Sequence, residues 1–152
     1  MCSGVCGVAV IWLASVFDDG ATPSKEVMTP VAAEMRQHAE SFLEALLDSQ
    51  RVIAQKSFDD ESRTDWSFFP RVRDGLELAD IRENAVALAS AEALLDCGLS
   101  DSGAKTAADI RRLDPQKNLG GGVRLGPYRY AITIFGQPSS DERWGWRVEG
   151  HH

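Results

Sequence analysis

The sequence predicts an α+β protein, with N-terminal helices followed by an antiparallel β-hairpin that belongs to a larger sheet. Three observations predict it. Apolar residues recur at helical spacing through three segments between residues 30 and 113. The pattern changes to period two from Tyr128. Helical segments come first and extended ones later, which is the α+β order rather than the alternating α/β one.

The first helix starts at Thr29 and Pro30, a capping residue followed by a proline whose fixed φ suits the first helical position. Val31, Met35, Ala39, Phe42, Leu43, Leu46 and Leu47 line one side of it, and the pattern extends through Val52 and Ile53 past a weak point at Asp48-Ser49. Ser57 to Asp65 is polar and acidic and reads as a loop. Trp66, Phe68 and Phe69 form an aromatic segment stopped by Pro70, and their type suits a short strand. Asp80 with Glu83 resembles a capping box and predicts a second helix carrying Ile81, Ala85, Leu88, Ala91 and Leu95, stopped at Gly98. Ser100 caps a third helix to about Leu113, with Ala104, Ala107, Ala108 and Ile110 on its apolar side and Asp114-Pro115 ending it. Gly120 to Gly122 reads as a flexible connection. Tyr128 to Phe135 and Trp144 to His151 then alternate as two strands of the hairpin. Two strands alone are seldom stable, so further sheet is required.

The chain has 152 residues, 43% of them hydrophobic and 26% charged, which suits one globular domain over residues 25–152 with a real core. It ends inside an extended run, which predicts a domain truncated at its C-terminal end. The net charge of −7 argues against nucleic acid, whose phosphates need a basic surface, and against anionic lipid. Residues 1–24 read as a signal-like segment and linker: Val5 to Phe17 is an apolar run too short for a comfortable bilayer span. It has the length of a signal-peptide core but no basic residue before it, so an export signal and an ordinary buried segment both stay open. An exported chain would be periplasmic or extracellular. Cys2, Cys6 and Cys97 form no CxxC pair, and Cys97 reads as a small buried apolar residue.

The last strand carries the candidate chemistry. Alternation puts Trp144, Trp146, Val148 and His152 on one face and Arg147, Glu149 and His151 on the other. Glu149 and His151 form a carboxylate–imidazole pair able to hold a divalent transition metal, with His152 an additional candidate that the strand sends the opposite way. Glu149 is also a candidate acid/base group, and Arg147 could hold a substrate carboxylate or pair with Glu149. The bland alternative is a solvent-exposed sheet face. Asp59, Asp60 and Glu61 lack calcium-loop spacing and read as a solvated loop that Arg63 and Arg73 could pair with. Trp66, Trp144 and Trp146 suit a core or an aromatic or sugar platform. The substrate, small molecule or polymer, is not legible, and no other cofactor motif is present.

Several blocks resemble the family named domain of unknown function 3500. They are Ser49-Gln50-Arg51, Asp60-Glu61-Ser62-Arg63, Trp66-Ser67-Phe68-Phe69-Pro70, Arg73-Asp74-Gly75-Leu76, Leu99-Ser100 with Gly103, Tyr128 to Pro138 closing on Ile134 to Pro138, and Trp144 to His152. The resemblance runs from about residue 30 to 152 and covers a front portion of the family pattern. It implies a mostly bacterial family whose members often carry an export signal or lipid anchor and continue past Glu-Gly-His-His. It supports Glu149, Gly150, His151 and His152 as a candidate site. Ser67 departs from a histidine expected after the tryptophan, and Ala104 from an aromatic expected after the glycine. Two functions follow as expectations: a metal-dependent enzyme, hydrolase or oxidoreductase, of the envelope or extracellular space, and a non-catalytic binding or scaffold module.

Overall fold

The structure is a computed structural model that describes residues 29–150. The apolar run Val5 to Phe17, Cys2, Cys6, His151 and His152 therefore lie outside the described residues. Among the described residues four α-helices, α1 (Pro30–Ala45), α2 (Asp48–Ala54), α3 (Ala85–Cys97) and α4 (Asp101–Leu113), pack with six short strands. The strands are β1 (Gln55–Lys56), β2 (Leu76–Glu77), β3 (Lys117–Gly120), β4 (Val123–Leu125), β5 (Ala131–Phe135) and β6 (Gly145–Glu149). The fold is α+β, and the expected hairpin is the β5–β6 pair.

Helix α1 begins as its sequence dictates. Thr29 Oγ1 accepts from the Ala32 N–H at 3.2 Å and Pro30 occupies the first position. Met35, Ala39, Phe42 and Leu43 are buried on one side, against α3. The helix does not continue to Ile53. Leu46 leaves the helix in extended conformation and buries its side chain, while Leu47 turns outward. A new helix, α2, starts at Asp48, with Gln50 Oε1 accepting from the Leu47 N–H at 3.1 Å and Asp48 favourably placed at the positive helix end. The break is two residues earlier than expected, because burial of Leu46 outweighs helical continuity.

Helix α3 also starts later than the Asp80 signal suggests. Leu78–Ile81 forms a 3₁₀ turn, and the cap is Asn84. Its Oδ1 accepts from Ala87 N–H at 3.1 Å and its Nδ2 donates to the Ala45 carbonyl at 2.7 Å. One side chain thus starts α3 and closes the end of α1. The later start rotates the buried face to Ala87, Ala91 and Leu94, leaving Ala85 exposed. The small side chains of Ala39, Ala87 and Ala91, all essentially inaccessible, line this helix pair. Ser100 caps α4 as expected, accepting from Gly103 N–H at 3.2 Å. The apolar side expected of α4 is only half-buried, and Ala108 is exposed.

Strand β5 is the centre of the sheet, and all five of its residues are buried. On one side β6 pairs with it antiparallel along its full length, from Ala131↔Glu149 to Phe135↔Gly145. On the other side β2 pairs antiparallel with its first half and β1 parallel with its end. This supplies the additional sheet that the hairpin requires. Ile132 and Ile134 join the helices in the core, with Trp144, Trp146 and Val148 packed against it. The glycine run is not a loose connection: Gly120–Gly122 lies at the turn of a separate β3–β4 hairpin. Trp66, Phe68 and Phe69 form no strand, because their segment turns on itself through Ser67 and pairs with nothing extended. No helix among the described residues is long and apolar enough to cross a membrane.

Candidate functional site

Alternation along β6 does what the sequence predicts: Trp146 and Val148 pack toward the core, while Arg147 and Glu149 occupy the opposite face. That face is not open to solvent. The segment between β1 and β2, residues 57–75, folds over it and its backbone supplies the partners. Arg147 Nη1 donates to the carbonyls of Ser62 and, at 3.2 Å, of Asp65. Its guanidinium also lies 5.4 Å from the Phe135 ring centre, on the neighbouring strand β5. Arg73 donates to the Ser67 and Phe69 carbonyls, both at 3.2 Å. Thr133 Oγ1 donates to the Asp74 carbonyl at 3.3 Å. Gly75 makes this last approach possible. Its φ is +107°, and a Cβ there would lie 2.2 Å from Thr133 Oγ1.

Glu149 sits between two guanidiniums. Its Oε1 is 2.8 Å from Arg147 Nη2 and its Oε2 is 3.6 Å from Arg73 Nη1. The side chains of Arg73, Arg147 and Glu149 are only 8%, 10% and 15% exposed. The close Arg147–Glu149 contact is an ion pair whose N–H does not point at the oxygen. Arg147 Nε and Nη2 and Glu149 Oε1 therefore remain buried without a hydrogen bond. Burial pushes the Glu149 carboxyl above its ordinary range, and the attraction of Arg147, Arg73 and Arg71 opposes this only in part. Burial likewise lowers Arg73, with Glu149 pulling the other way.

Lys56, at the end of β1, closes the cluster. Its Nζ donates to Ser62 Oγ at 2.9 Å and lies 3.6 Å from Asp74 and 3.9 Å from Asp60. Asp60, read as merely solvated, caps the 3₁₀ turn Glu61–Thr64 by accepting from the Ser62 N–H at 2.9 Å. Hydrogen bonds from the Ser62 hydroxyl and, second, from the Ser62 N–H hold its carboxyl below the ordinary range. Arg63 does not pair with the acids. Its Nε donates to the Phe58 carbonyl at 2.7 Å and the guanidinium stacks over the Phe58 ring. Above the cluster the same segment turns its apolar side chains outward: Trp66, Phe68, Phe69 and Val72 are 59–75% exposed. Phe68 and Phe69 touch edge to face, with ring centres 6.0 Å apart.

On this geometry Arg147 and Glu149 come together and His151 and His152 lie outside the described residues. Among the described residues no group of three His, Cys, Asp or Glu side chains could hold a metal ion. Both Glu149 oxygens face guanidiniums, which compete with any cation for the carboxylate. Gly150, next along the chain, packs flat on Tyr130: a Cβ would lie 2.6 Å from the ring. The Tyr130 hydroxyl donates to Asp114 at 3.2 Å in the interior, and burial beside that carboxylate raises its pKa strongly. Neither Tyr130–Asp114 nor the role of Arg73 was legible in the sequence; Gly75 and Gly150 mark other close approaches, to Thr133 and to the Tyr130 ring. A shallow open depression of about 390 Å³ lined by Asp48, Arg51, Val52 and Gln55 holds none of these residues.

Residues 29–152 match the family described as protein of unknown function (DUF3500). The chain belongs to that family. The match includes β6, the covering segment and the Glu-Gly-His-His stretch, so the cluster of this DUF3500 chain lies wholly within the matched residues. No curated protein and no solved structure matches the chain.

Proposed function

We propose that this DUF3500 chain is a binding module that recognises an apolar surface of another polypeptide through residues 66–72. The observation that carries the reading is the exposure of Trp66, Phe68, Phe69 and Val72 on a segment whose backbone Arg73 and Arg147 hold from below. Large exposed apolar groups on a fixed backbone are the usual make-up of an interaction surface. Pre-ordering by the arginines lowers the entropy lost on binding. In this reading Glu149 balances the two guanidiniums, and the cluster positions the segment without meeting the ligand. Panning a displayed peptide library against the intact chain tests it. Enriched sequences should be apolar, and Trp66→Ser with Phe69→Ser should abolish their binding without lowering the melting temperature. No enrichment, or binders indifferent to those substitutions, would refute it.

The raised pKa of Glu149 favours a second reading, since acid/base groups are tuned by burial. Here the protein is a metal-dependent hydrolase or oxidoreductase of the envelope or extracellular space. His151, Glu149 and His152 would supply metal ligands or the acid/base group, and Arg147 would orient substrate. The two guanidiniums at Glu149 weigh against direct ligation by that carboxylate. Near-stoichiometric metal in purified protein, lost on His151→Ala with His152→Ala, would favour this reading over the first.

A further inference from the structure

Acidic residues outnumber basic ones in this chain, and most arginines among the described residues lie against an acid, as Arg71 lies against Asp65 and Arg111 against Glu92. Arg63 and Arg143 do not. They come from distant parts of the chain, the 3₁₀ turn Glu61–Thr64 and the connection between β5 and β6, and they meet at one ring. Their guanidinium carbons lie 4.6 Å and 4.9 Å from the ring centre of Phe58, so they are no farther apart than those two distances together. Neither pairs with an acid among the described residues, although Asp59 and Glu61 flank the first and Asp141 and Glu142 precede the second. Asp60 is turned to Ser62 and Lys56 instead. Arg63 uses only Nε, on the Phe58 carbonyl, and Arg143 is exposed with no hydrogen bond among the described residues. The corner that carries Arg143 is fixed. Gln55 Nε2 donates to the Gly136 carbonyl at 2.9 Å, and Gly136 has φ of +82° with room for no Cβ, which would lie 2.8 Å from the Arg143 carbonyl. Two like charges are thus gathered on one aromatic face while their neighbouring acids are passed over.

We infer that Arg63 and Arg143 hold a carboxylate of the polypeptide that residues 66–72 bind, so that the partner is an apolar segment carrying an acidic side chain. The inference rests on the binding-module reading above and names the partner's chemistry. A carboxylate that accepts one N–H from each guanidinium, at about 2.8 Å per bond, spans the widest separation that the ring contacts allow. Arg63 precedes Trp66 by one short turn, which at about 3.8 Å per Cα step puts their backbones within roughly 11 Å. An extended peptide advances about 3.3 Å per residue, so its acid falls within about four residues of the side chain that meets Trp66. Asp59, Glu61, Asp141 and Glu142 are exposed around the pair and repel a run of acids. The geometry therefore selects a single carboxylate among apolar residues.

Random displayed peptides panned against the full chain should be enriched in sequences with one Asp or Glu within about four residues of an apolar group. A synthetic peptide of the most enriched sequence should lose affinity several-fold when its acid is changed to the amide. Arg143→Gln in the protein should cost the same several-fold, and the two changes together no more than either alone. The peptide change leaves the protein unaltered, so that arm holds even where an arginine variant fails to fold. Apolar peptides without an acid, or an acid whose change to the amide costs nothing, overturn the inference and leave the surface of residues 66–72 standing. Losses that multiply independently also overturn it, because Arg143 would then only support Phe58. No enrichment at all overturns both readings.

Discussion

Replacing Arg147 by methionine should cost far more than a surface substitution. The change removes donors to the Ser62 and Asp65 carbonyls and takes away the nearer counter-ion of Glu149. Each hydrogen bond from a charged group contributes about 1.5–3 kcal/mol. Removal of one member of a buried pair costs roughly 3–5 kcal/mol, because the other is left buried and unbalanced. Arg73 remains 3.6 Å from Glu149, which softens the loss, so about 3 kcal/mol is expected. That corresponds to a fall in melting temperature on the order of 10 °C for a domain of this size. Glu149→Leu should reduce the effect: in that background Arg147→Met should cost at least about 1 kcal/mol less, the signature of coupled residues. Urea unfolding followed by tryptophan emission gives both values, since Trp144 and Trp146 sit beside these residues. A cost for Arg147→Met within about 0.5 kcal/mol, the scale of an ordinary surface change, would refute the reasoning.

Three other outcomes are expected. Gly75→Ala should destabilise by about 1–3 kcal/mol, since φ is +107° and the new Cβ meets Thr133 Oγ1 and the Ile132 carbonyl; a melting curve shows it. The raised Glu149 pKa fixes the sign of a pH effect. Its contribution to stability is fully present below the ordinary value of 4.5 and is lost as pH rises through the higher folded value. Glu149→Gln should therefore flatten the fall in stability above pH 4.5, measured by denaturant titration across pH. Cys97 is half-buried, donates to the Leu94 carbonyl at 3.3 Å, and has its thiol pKa raised by burial, so alkylation at neutral pH should be slower than for an unfolded control.

What the sequence disclosed follows the range of the interactions. Thr29 with Pro30, and Ser100 with Gly103, act within one helical turn, and both were legible. The β5–β6 alternation was legible for the same reason, and with it the side of β6 that carries Arg147 and Glu149. The cover over that side was not. Arg147 meets the Ser62 carbonyl across 85 positions, and backbone acceptors leave no mark in composition. Asn84 likewise outcompetes Asp80 as a cap because it also ties the end of α1, a contact no local pattern contains. Trp66, Phe68 and Phe69 have strand-like side chains, yet the carbonyls of this segment go to Arg73 instead of a ladder.

Arg147 and Arg73 either hold residues 62–69 against the sheet or leave them to solvent, and native-state hydrogen exchange separates the two. With the arginines in place, amides in this segment that bond within it, such as Asp65 N–H to the Ser62 carbonyl, should be protected. Arg147→Met should release them by several-fold while the β5 amides stay as slow as before. Equal exchange of residues 62–69 in both proteins would mean that the cluster does not hold the segment, and the aromatic surface would lose its physical basis.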